Sequence, residues 1–525
     1  MPKRHIYLLF IIIFVSLLCY FHSDRYTHSL DYLMRMLETR ALDPVYKRDL
    51  FDGALSGMLN TLDDNSSYFL PKLYKEIDES LRQEISGGIG AVFQVNEETG
   101  KAVISFTLPN TPAREAGLMP GDEIILVGDM KVEGLSQNKI REHLIGEVGT
   151  PVALEIFRPS TSQTLQFSVI RSRIRLETVE GLKRSKTGTW EFFLPPFSEE
   201  DIKTVLVRGK EKAEVSQEAV ISGEGRDLSE KFLAQRKIAY VRVTSFGEHT
   251  AEELKNTLLM LQKRGMEGLI LDLRDNYGGL LDAANNVCDL FLEKGEIIVT
   301  TRGRNQQILK EVRASGRKVF DSRIPMAVLI NGNSASASEI VAACLQDHSR
   351  EGKLNVVCVG VRSFGKGTVQ ELIALGPLPD DHRVVRENME GTEEFSTQSW
   401  EGWHRLWKAS PRAAIRITVA SYWRPSGKNI HRFRRGEEIA GEDEDWGVLP
   451  DDGMEVDFPR TARGKVLSSF SKKYEEFFSK CYYGTLTPEE LKNIYKIDPQ
   501  LKKAVWWEYE NISPRKEPSS DEKIL

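Results

Sequence analysis

The chain has 525 residues, of which 40% are hydrophobic and 28% are charged. This length is enough for three or four domains, and the composition is typical of a globular protein with sizeable cores. A formal net charge of −6 gives no electrostatic reason to expect a nucleic-acid partner.

The first 23 residues have the composition of a targeting segment. Lys3, Arg4 and His5 precede an apolar run over residues 6–21, which is the order of a positive region and a hydrophobic region in a signal sequence. No small-residue cleavage site follows, so an uncleaved signal anchor is favoured over a cleaved signal peptide. Because Lys and Arg stay on the cytoplasmic side, we expect the remaining chain in the periplasm, anchored to the inner membrane or secreted.

Residues 24–83 are charged and are predicted to form a mainly helical N-terminal region. A small domain follows over residues 84–172, with a glycine-rich turn, alternating strands and one helix over residues 137–144. This arrangement resembles a PDZ domain.

The resemblance implies a peptide-binding site at the glycine-rich turn. In PDZ domains this turn offers backbone N–H groups to a terminal carboxylate, and the adjacent strand edge pairs with an extended peptide. The residues concerned here are Gly87, Gly88, Ile89 and Gly90. We therefore expect polypeptides with free C-termini as partners; the alternative is a module that only packs against the rest of the chain.

The larger part of the chain is predicted as one core domain with flanking segments. A connector with an insertion covers residues 173–236, and the core covers residues 237–460. An insertion at about 374–411 is either a substrate-selecting lid or an inert surface segment. A C-terminal helical region over 461–510 and a polar, disordered tail over 511–525 complete the prediction.

Within the core, a buried strand over residues 268–274 runs into a glycine turn. Gly278 and Gly279 follow this strand and precede a helical pattern over residues 280–292. Taken alone, the two glycines indicate a tight strand-to-helix turn with positive φ.

A second strand-to-helix turn carries three serines. The apolar run over residues 326–330 predicts a buried strand, and a helical pattern follows from Glu339. Ser334, Ser336 and Ser338 lie between them, beside the free N–H groups and the positive end of the helix dipole. Such a position suits a nucleophile whose product is an oxyanion, although Ser338 and Glu339 also fit ordinary capping roles.

The next strand leads to a lysine between two glycines, in Phe364-Gly365-Lys366-Gly367. A free lysine has a pKa of about 10.4, and lowering it to about 7 requires on the order of 4–5 kcal/mol of destabilisation of the ammonium. Burial in a dry site can supply this, so Lys366 is a candidate general base for a serine. A phosphate-binding loop does not fit, because a glycine separates the lysine from Thr368.

These motifs resemble those of the C-terminal processing peptidases, also called tail-specific proteases, and the resemblance covers residues 62–456. It implies that Ser336 is the nucleophile, Lys366 the base and Gln370 a residue that orients the lysine, with Asp347 in a supporting role. It also implies an oxyanion hole made by the N–H of Ala337 and that of Gly278 or Gly279.

One departure from the family concerns spacing. Lys366 follows Ser336 by 30 residues, about five more than is usual in the family, and loops tolerate such insertions. We place the extra residues in the helix-to-strand loop over residues 351–355.

The resemblance also implies a fold and an activity. The fold is α/β, with a crotonase-like and ClpP-like protease core, an inserted PDZ domain and an N-terminal helical region. The activity is that of a serine endopeptidase that cleaves polypeptides at or near their C-termini through an acyl-enzyme. No metal or organic cofactor is expected, and a homo-oligomer is possible.

Three alternatives remain. The chain could be an anchored PDZ binding protein on an inactive scaffold, or an esterase with the same dyad. A Ser-His-Asp triad can be drawn with His348, which follows Asp347. The five scattered cysteines do not form a disulfide framework, and no residue cluster has the spacing of a zinc site.

Overall fold

A computed structural model describes residues 25–96, 99–185, 188–198, 236–375, 413–432, 445–457 and 468–512. The chain divides into two compact units. The first is built from described parts of residues 1–75 and 370–419, and the second from described parts of 76–369 and 420–525.

The helices are α1 Arg25–Arg40, α2 Lys47–Asn60, α3 Pro71–Arg82, α4 Pro112–Glu115, α5 Gln137–Leu144, α6 Thr250–Lys263, α7 Leu281–Cys288, α8 Ala337–Arg350, α9 Ser468–Tyr483, α10 Pro488–Leu491, α11 Ile494–Ile497 and α12 Pro499–Asn511. The strands are β1 Ser67–Phe69, β2 Glu84–Gly88, β3 Ala91–Val95, β4 Ala102–Thr107, β5 Glu123–Val127, β6 Met130–Lys131, β7 Pro151–Arg158, β8 Gln163–Ile170, β9 Ser172–Arg175, β10 Val179–Glu180, β11 Lys183–Arg184, β12 Trp190–Glu191, β13 Ile238–Val243, β14 Gly268–Asp272, β15 Ile297–Arg302, β16 Ile308–Arg313, β17 Met326–Ile330, β18 Val356–Gly360, β19 Thr368–Ala374 and β20 Ala414–Trp423.

A five-stranded sheet forms the centre of the second unit, in the order β10-β13-β14-β17-β18. The four strands from β13 to β18 are parallel, and β10 is antiparallel to β13. Strands β14, β17 and β18 are buried at every position, which explains their continuous apolar runs, since parallel sheets are covered on both faces. Because β14 and β17 are adjacent and parallel, their carboxyl ends lie side by side. The glycine turn follows β14, and the serine turn follows β17.

Different helices cover the two faces of this sheet. Side chains from α6, α7 and α8 pack on one face, together with residues of β15 and β20. The other face is covered by residues of α9, α11 and α12. The result is a three-layer α/β core, so the predicted α/β class is confirmed.

A buried ion cluster fixes the C-terminal helices to the sheet. The Arg274 guanidinium, 1% exposed, donates to both carboxylate oxygens of Asp272 and of Asp498. Asp498 also caps α12 through the N–H of Leu501. A charge this deeply buried is tolerated because every partner is in place.

The PDZ-like module has its own sheet and its own core. The sheet order is β3-β4-β5-β7-β8, with β6 paired to β5, and α5 packs on it through Ile140 and Leu144. Strands β2 and β9 form a separate antiparallel pair at the two ends of the module. Both chain connections between module and core therefore run side by side.

The first unit contains α1, α2 and β1. Strand β1 pairs with the first residues of β20, where Phe69 is opposite Ala414. Thr418 donates to Asp63, and its N–H donates to Ser66. The segment over residues 63–69 is thus joined to β20.

Several predictions from the sequence fall outside the described residues. These are the targeting segment over residues 1–23, much of the connector with its insertion (residues 199–235), most of the insertion at 374–411 and nearly all of the tail at 511–525. Across the described ranges, no helix is both long enough and apolar enough to cross a membrane. The four cysteines described, including Cys288, Cys344 and Cys358 predicted as core residues, are buried and carry free thiols.

Candidate active site

The three serines of the second turn have different environments. Ser334 is fully buried, and its hydroxyl donates to the Leu273 carbonyl at 2.8 Å. Ser338 is also fully buried, and its hydroxyl donates to the Asn276 carbonyl at 2.8 Å. Both join the serine turn to the neighbouring glycine turn. Ser336 alone of the three is partly exposed, so the structure distinguishes candidates that the local pattern leaves open.

The backbone of Ser336 has an unusual conformation. Its φ is +56° and its ψ is −113°, a region that a non-glycine residue seldom adopts. Ser336 is the N-cap of α8, so the turn presents its side chain at the positive end of a 14-residue helix. The conformation is held by hydrogen bonds on both sides of the serine.

The lysine loop packs closely on the segment that follows β20. A Cβ atom added to Gly365 would lie 2.7 Å from the Arg432 side chain, and one added to Gly367 would lie 2.5 Å from the His431 backbone nitrogen. No larger residue fits at either position without movement of the backbone. The two glycines thus fix the path of the chain on both sides of Lys366, which is half-buried.

The Glu339 carboxylate connects the serine turn to the lysine loop. Its Oε2 accepts from the backbone N–H of Ser336 at 2.8 Å and from that of Lys366 at 2.9 Å. Its Oε1 accepts from the Gly365 N–H and from the Ser363 hydroxyl, both at 2.6 Å. Since one oxygen binds both N–H groups, the backbone nitrogens of Ser336 and Lys366 lie within about 6 Å of each other.

Glu339 is completely buried, and its environment acts on its ionisation in two directions. Burial raises the pKa of Glu339 to about 7, although the hydrogen bonds from Ser363, Gly365, Ser336 and Lys366 act in the opposite direction. An ionised carboxylate can accept from all four donors. A protonated carboxyl carries a hydrogen of its own, so one of the four donors would have to turn away from it.

Tyr422 is a second residue that contacts both the serine and the lysine loop. Its hydroxyl donates to the Lys366 carbonyl and lies within hydrogen-bond reach of the Ser336 side chain. Burial raises the pKa of Tyr422 well above its usual value, so the phenol remains neutral. Its own N–H donates to the Gly367 carbonyl at 3.0 Å.

The glycine turn lies directly against Ser336. A Cβ atom on Gly278 would be 2.8 Å from the Ser336 Cβ and 3.0 Å from the Ala337 nitrogen. The Gly278 N–H donates to Asn276 Oδ1 at 2.8 Å. Within the described ranges, no acceptor lies on the N–H of Gly279 or of Ala337, so two N–H groups next to the serine are available.

Asp347 lies near the far end of α8, about 16 Å along the helix from Ser336 at 1.5 Å per residue. Its carboxylate is paired with the buried Arg424 guanidinium and accepts from the Ser426 N–H at 2.9 Å. Asp347 therefore fixes the chain just after Tyr422. The supporting role toward the lysine remains a prediction, and any such effect is indirect.

Gln370 lies in β19, within the first unit, and its Nε2 donates to the Thr418 hydroxyl at 3.3 Å. Its orientation of the lysine remains a prediction.

The triad alternative does not fit the geometry. His348 is on α8, about 18 Å along the helix from Ser336, and its Nε2 is 2.8 Å from the Ile297 carbonyl. His348 is 2% exposed. It therefore cannot accept a proton from Ser336.

The glycine-rich turn of the PDZ-like module has crowded glycines and available N–H groups. A Cβ atom on Gly87 would be 1.7 Å from the Gly146 carbonyl oxygen, and one on Gly90 would be 2.4 Å from Thr111. The Ile89 and Gly90 carbonyls accept hydrogen bonds from within the module. In the part of the chain described, the N–H groups of Ile89 and Gly90 have no acceptor. Gly88 lies in β2 opposite Ser172.

Sequence reasoning missed the roles of two residues. Glu339 was visible three residues after Ser336, which is the spacing of a capping box, but its link to the lysine loop depends on long-range packing. Tyr422 lies near the end of β20, and nothing in its local pattern distinguishes it from a core tyrosine.

Comparisons with known proteins identify the family of the chain. The model of peptidase family S41 matches residues 237–436, and that of the PDZ domain matches residues 79–157. The chain is 30% identical over 419 residues to a carboxy-terminal-processing protease of Bartonella bacilliformis, covering 79% of this chain and 72% of that protein. It is 32% identical to the carboxy-terminal processing protease CtpA of Bacillus subtilis, with 76% and 66% covered.

Among solved structures, the photosystem II D1 C-terminal processing protease is similar, with 23% identity, a TM-score of 0.37 and coverage of 82% of this chain and 89% of that chain. The sequence relationship to the Bartonella protein spans most of both chains. This chain therefore belongs to the carboxy-terminal-processing proteases of peptidase family S41, and it is a serine-type peptidase that carries a PDZ domain.

Proposed function

We propose that this peptidase works through a Ser336–Lys366 dyad and cleaves polypeptides near their C-termini. The observation that carries the proposal is the Glu339 carboxylate, which binds the backbone N–H groups of both residues through one oxygen. A link of this kind, in a site where Ser336 has a strained φ of +56°, supports a fixed relation between nucleophile and base.

The proposed reaction has two halves. Neutral Lys366 takes the Ser336 hydroxyl proton as the serine oxygen attacks the scissile carbonyl carbon. The tetrahedral intermediate collapses to an ester on Ser336, and the Lys366 ammonium gives its proton to the leaving amine. Lys366 then takes a proton from water, the hydroxide oxygen attacks the ester, and the proton returns to the Ser336 oxygen as the acid product leaves.

The N–H groups of Ala337 and Gly279 are proposed as the oxyanion donors. The Gly278 N–H is used by Asn276, which favours Gly279 of the two glycines. The Gly278 carbonyl accepts from the Phe246 N–H, and a trans peptide directs its C=O and N–H oppositely. The Gly279 N–H thus points away from Phe246. Preorganised donors of this type are worth about 10²–10³ in kcat each.

The PDZ domain is proposed to hold the substrate by its terminal carboxylate. The N–H groups of Ile89 and Gly90 supply donors, and the exposed edge of β3 can pair with an extended chain. The carboxy-terminal-processing activity in the names of the relatives supports this substrate class. Gln370 and Asp347 are proposed to orient or support Lys366.

Two features of the whole protein are also proposed. The apolar stretch within residues 1–23 would anchor the chain in the inner membrane or direct it to the periplasm. Assembly as a homo-oligomer is compatible with this arrangement.

The dyad is tested by hydrolysis of an unstructured protein with a free C-terminus. We expect Ser336→Ala and Lys366→Ala each to lower kcat by at least about 10³-fold, because each removes a reacting group. Ser334→Ala and Ser338→Ala are controls that should remain active but less stable by about 0.5–1.5 kcal/mol. Each loses one buried hydrogen bond, while the Leu273 and Asn276 carbonyls keep their backbone donors from Asn276 and Ala335.

A lysine control completes the experiment. Lys353 is on the surface, where it pairs with Glu296 and Glu351, and Lys353→Ala should leave kcat unchanged. Equal turnover in wild type and Lys366→Ala would refute the dyad. Peptide binding without hydrolysis in the wild type would instead support a binding protein on an inactive scaffold.

A further inference from the structure

Gln83 is an unusual residue at the start of the PDZ domain. It lies between α3 and β2, where the chain enters the domain, and is only 1% exposed. Its φ is +58°, a conformation that glycine or asparagine adopts more readily. A non-glycine residue keeps this backbone conformation only where the surrounding structure holds it.

The Gln83 carboxamide binds the start of helix α6 in the protease core. Its Oε1 accepts from the His249 N–H at 2.8 Å, and its Nε2 donates to the Thr250 hydroxyl at 3.2 Å. Its side chain also lies flat on Gly247, where an added Cβ atom would be 2.2 Å from the Gln83 Cγ. The three atoms nearest to that position all belong to Gln83. The absence of a side chain at Gly247 thus leaves the space that the Gln83 side chain fills.

The chain leaving the PDZ domain meets the same point. The Leu176 N–H donates to the Gln83 carbonyl at 2.7 Å, and the hydroxyls of Thr178 and Thr250 are 2.9 Å apart. Thr250 also accepts from the Gly247 N–H at 2.9 Å. Both connections of the domain therefore converge on residues 247–250, which directly follow Phe246.

This segment continues to the glycine turn. The Phe246 N–H donates to the Gly278 carbonyl at 3.0 Å, and the Phe246 carbonyl accepts from the Leu280 N–H at 2.7 Å. A Cβ atom on Gly279 would be 2.1 Å from the Phe246 oxygen, so the turn and Phe246 are in direct contact. Gly278 in turn contacts Ser336.

We infer that Gln83 is a positioning residue for the oxyanion donor at Gly279. It holds Gly247 and the start of α6, these hold Phe246, and Phe246 sets the position of the Gly278–Gly279 peptide beside Ser336. The inference rests on the proposed function, because it assigns an oxyanion role to that peptide. It adds a residue from outside the protease core to the catalytic arrangement.

The experiment uses the full chain with four single variants and one double variant. Gln83→Ala removes the carboxamide, and Gly247→Ala forces it out of its place. Gln83→Glu is the conservative variant, because it keeps the acceptor for His249. Arg175→Ala is the matched control, since it breaks the Arg175–Glu253 ion pair, another link between the domain and α6, without touching Gln83.

We expect Gln83→Ala to lower kcat about tenfold on a peptide substrate. The affinity for a peptide boronate, which mimics the tetrahedral intermediate, should fall by a similar factor. KM should change by less than about twofold, because ground-state binding is not affected. Gly247→Ala should give the same pattern, and Gln83→Glu should recover part of kcat. Arg175→Ala should match the wild type.

The double variant gives the sharpest result. If Gly247→Ala acts only by displacing Gln83, then adding it to Gln83→Ala causes no further loss, and the two effects are not additive. Unchanged kcat in folded Gln83→Ala, an equal loss in Arg175→Ala, or additive losses in the double variant would overturn the inference. Equal turnover by the wild type and the Lys366→Ala variant would instead refute the dyad.

Discussion

The Glu339 carboxylate is completely buried and accepts four hydrogen bonds. Burial nevertheless raises the pKa of Glu339 to about 7, so the group changes charge near neutral pH. When it takes up a proton, the Ser363 hydroxyl is the donor that can rotate to accept it, because the other three donors are backbone N–H groups. The link between Ser336 and Lys366 is therefore strongest when Glu339 is ionised.

The stability of the protein should depend on pH through this residue. An unfolded glutamate ionises near pH 4.5 and the folded Glu339 near pH 7, so the folded state retains a proton between these values. The free energy of unfolding should fall by roughly 3 kcal/mol as the pH rises from about 4.5 to about 7, at about 1.4 kcal/mol per pKa unit. Chemical denaturation of wild type and Glu339→Gln across this range would measure the difference.

A carboxylate at the other end of α8 provides the control. Glu351 is half-exposed and pairs with Lys353, and that hydrogen bond lowers the pKa of Glu351. Glu351→Gln should therefore leave the pH dependence of the free energy of unfolding between pH 4.5 and 7 unchanged. If the difference in the free energy of unfolding between wild type and Glu339→Gln does not change with pH across this range, Glu339 is ionised throughout it. Glu339→Gln should also lower kcat, because its amide N–H₂ faces other donors.

The residues proposed to carry the chemistry stand in more informative local patterns than those that position them. Ser336 and Lys366 stand in short motifs whose neighbours limit the possible structures. The partners of Glu339 and Tyr422 are 27 and 56 residues distant in sequence, and no local periodicity encodes such contacts. Sequence reasoning could give Glu339 only its capping role.

At the scale of elements, apolar runs predicted the buried strands of the central sheet. The limits of helices were less accurate: the pattern over residues 280–292 predicts one helix, but α7 ends at Cys288. The apolar residues Leu290, Phe291 and Leu292 remain fully or almost fully buried, so their pattern reflects the core rather than helical structure. Burial and helicity give the same signal in a short apolar run.

The two glycine-bearing turns beside Ser336 allow a matched comparison. Gly278 has a φ of +101°, and its Cβ position is 2.8 Å from the Ser336 Cβ, whereas Gly332 has open space around it. We expect Gly278→Ala to lower kcat at least about 100-fold by displacing the serine or the oxyanion donor. Gly332→Ala should stay within about twofold of wild type.

Kinetics on one peptide substrate would measure both variants, with thermal denaturation to confirm that each is folded. Near-normal kcat in Gly278→Ala would mean that the glycine turn is only structural. A large loss in Gly332→Ala would mean that the serine turn tolerates no change, and the comparison would then not support a specific role for Gly278.

At the scale of the whole molecule, the sequence predicted separate segments but not how they combine. The C-terminal helices cover one face of the central sheet through the Arg274–Asp498 pair, whose residues are 224 positions apart. The contact of Gln83 with His249 joins the PDZ domain to the core across 166 positions. Both depend on tertiary packing, for which composition and periodicity carry no signal.

The last prediction concerns how the PDZ domain selects substrates. A free C-terminal carboxylate can accept from the N–H groups of Ile89 and Gly90, whereas a C-terminal amide lacks the charge and adds donors of its own. We expect amidation of a peptide substrate to raise KM about tenfold with little change in kcat, because the terminus is bound remotely from the scissile bond. A short ester substrate that does not reach the domain should show no such dependence.

Two variants assign the effect to the glycine-rich turn. Gly90→Ala places a Cβ atom 2.4 Å from Thr111, which must displace the turn and remove the preference for the free acid. Lys101→Ala, which breaks a surface ion pair with Glu123 in the same domain, should retain it. If the acid and amide peptides have equal KM in the wild type, the domain does not capture the carboxylate, and substrate selection must then lie in the protease core.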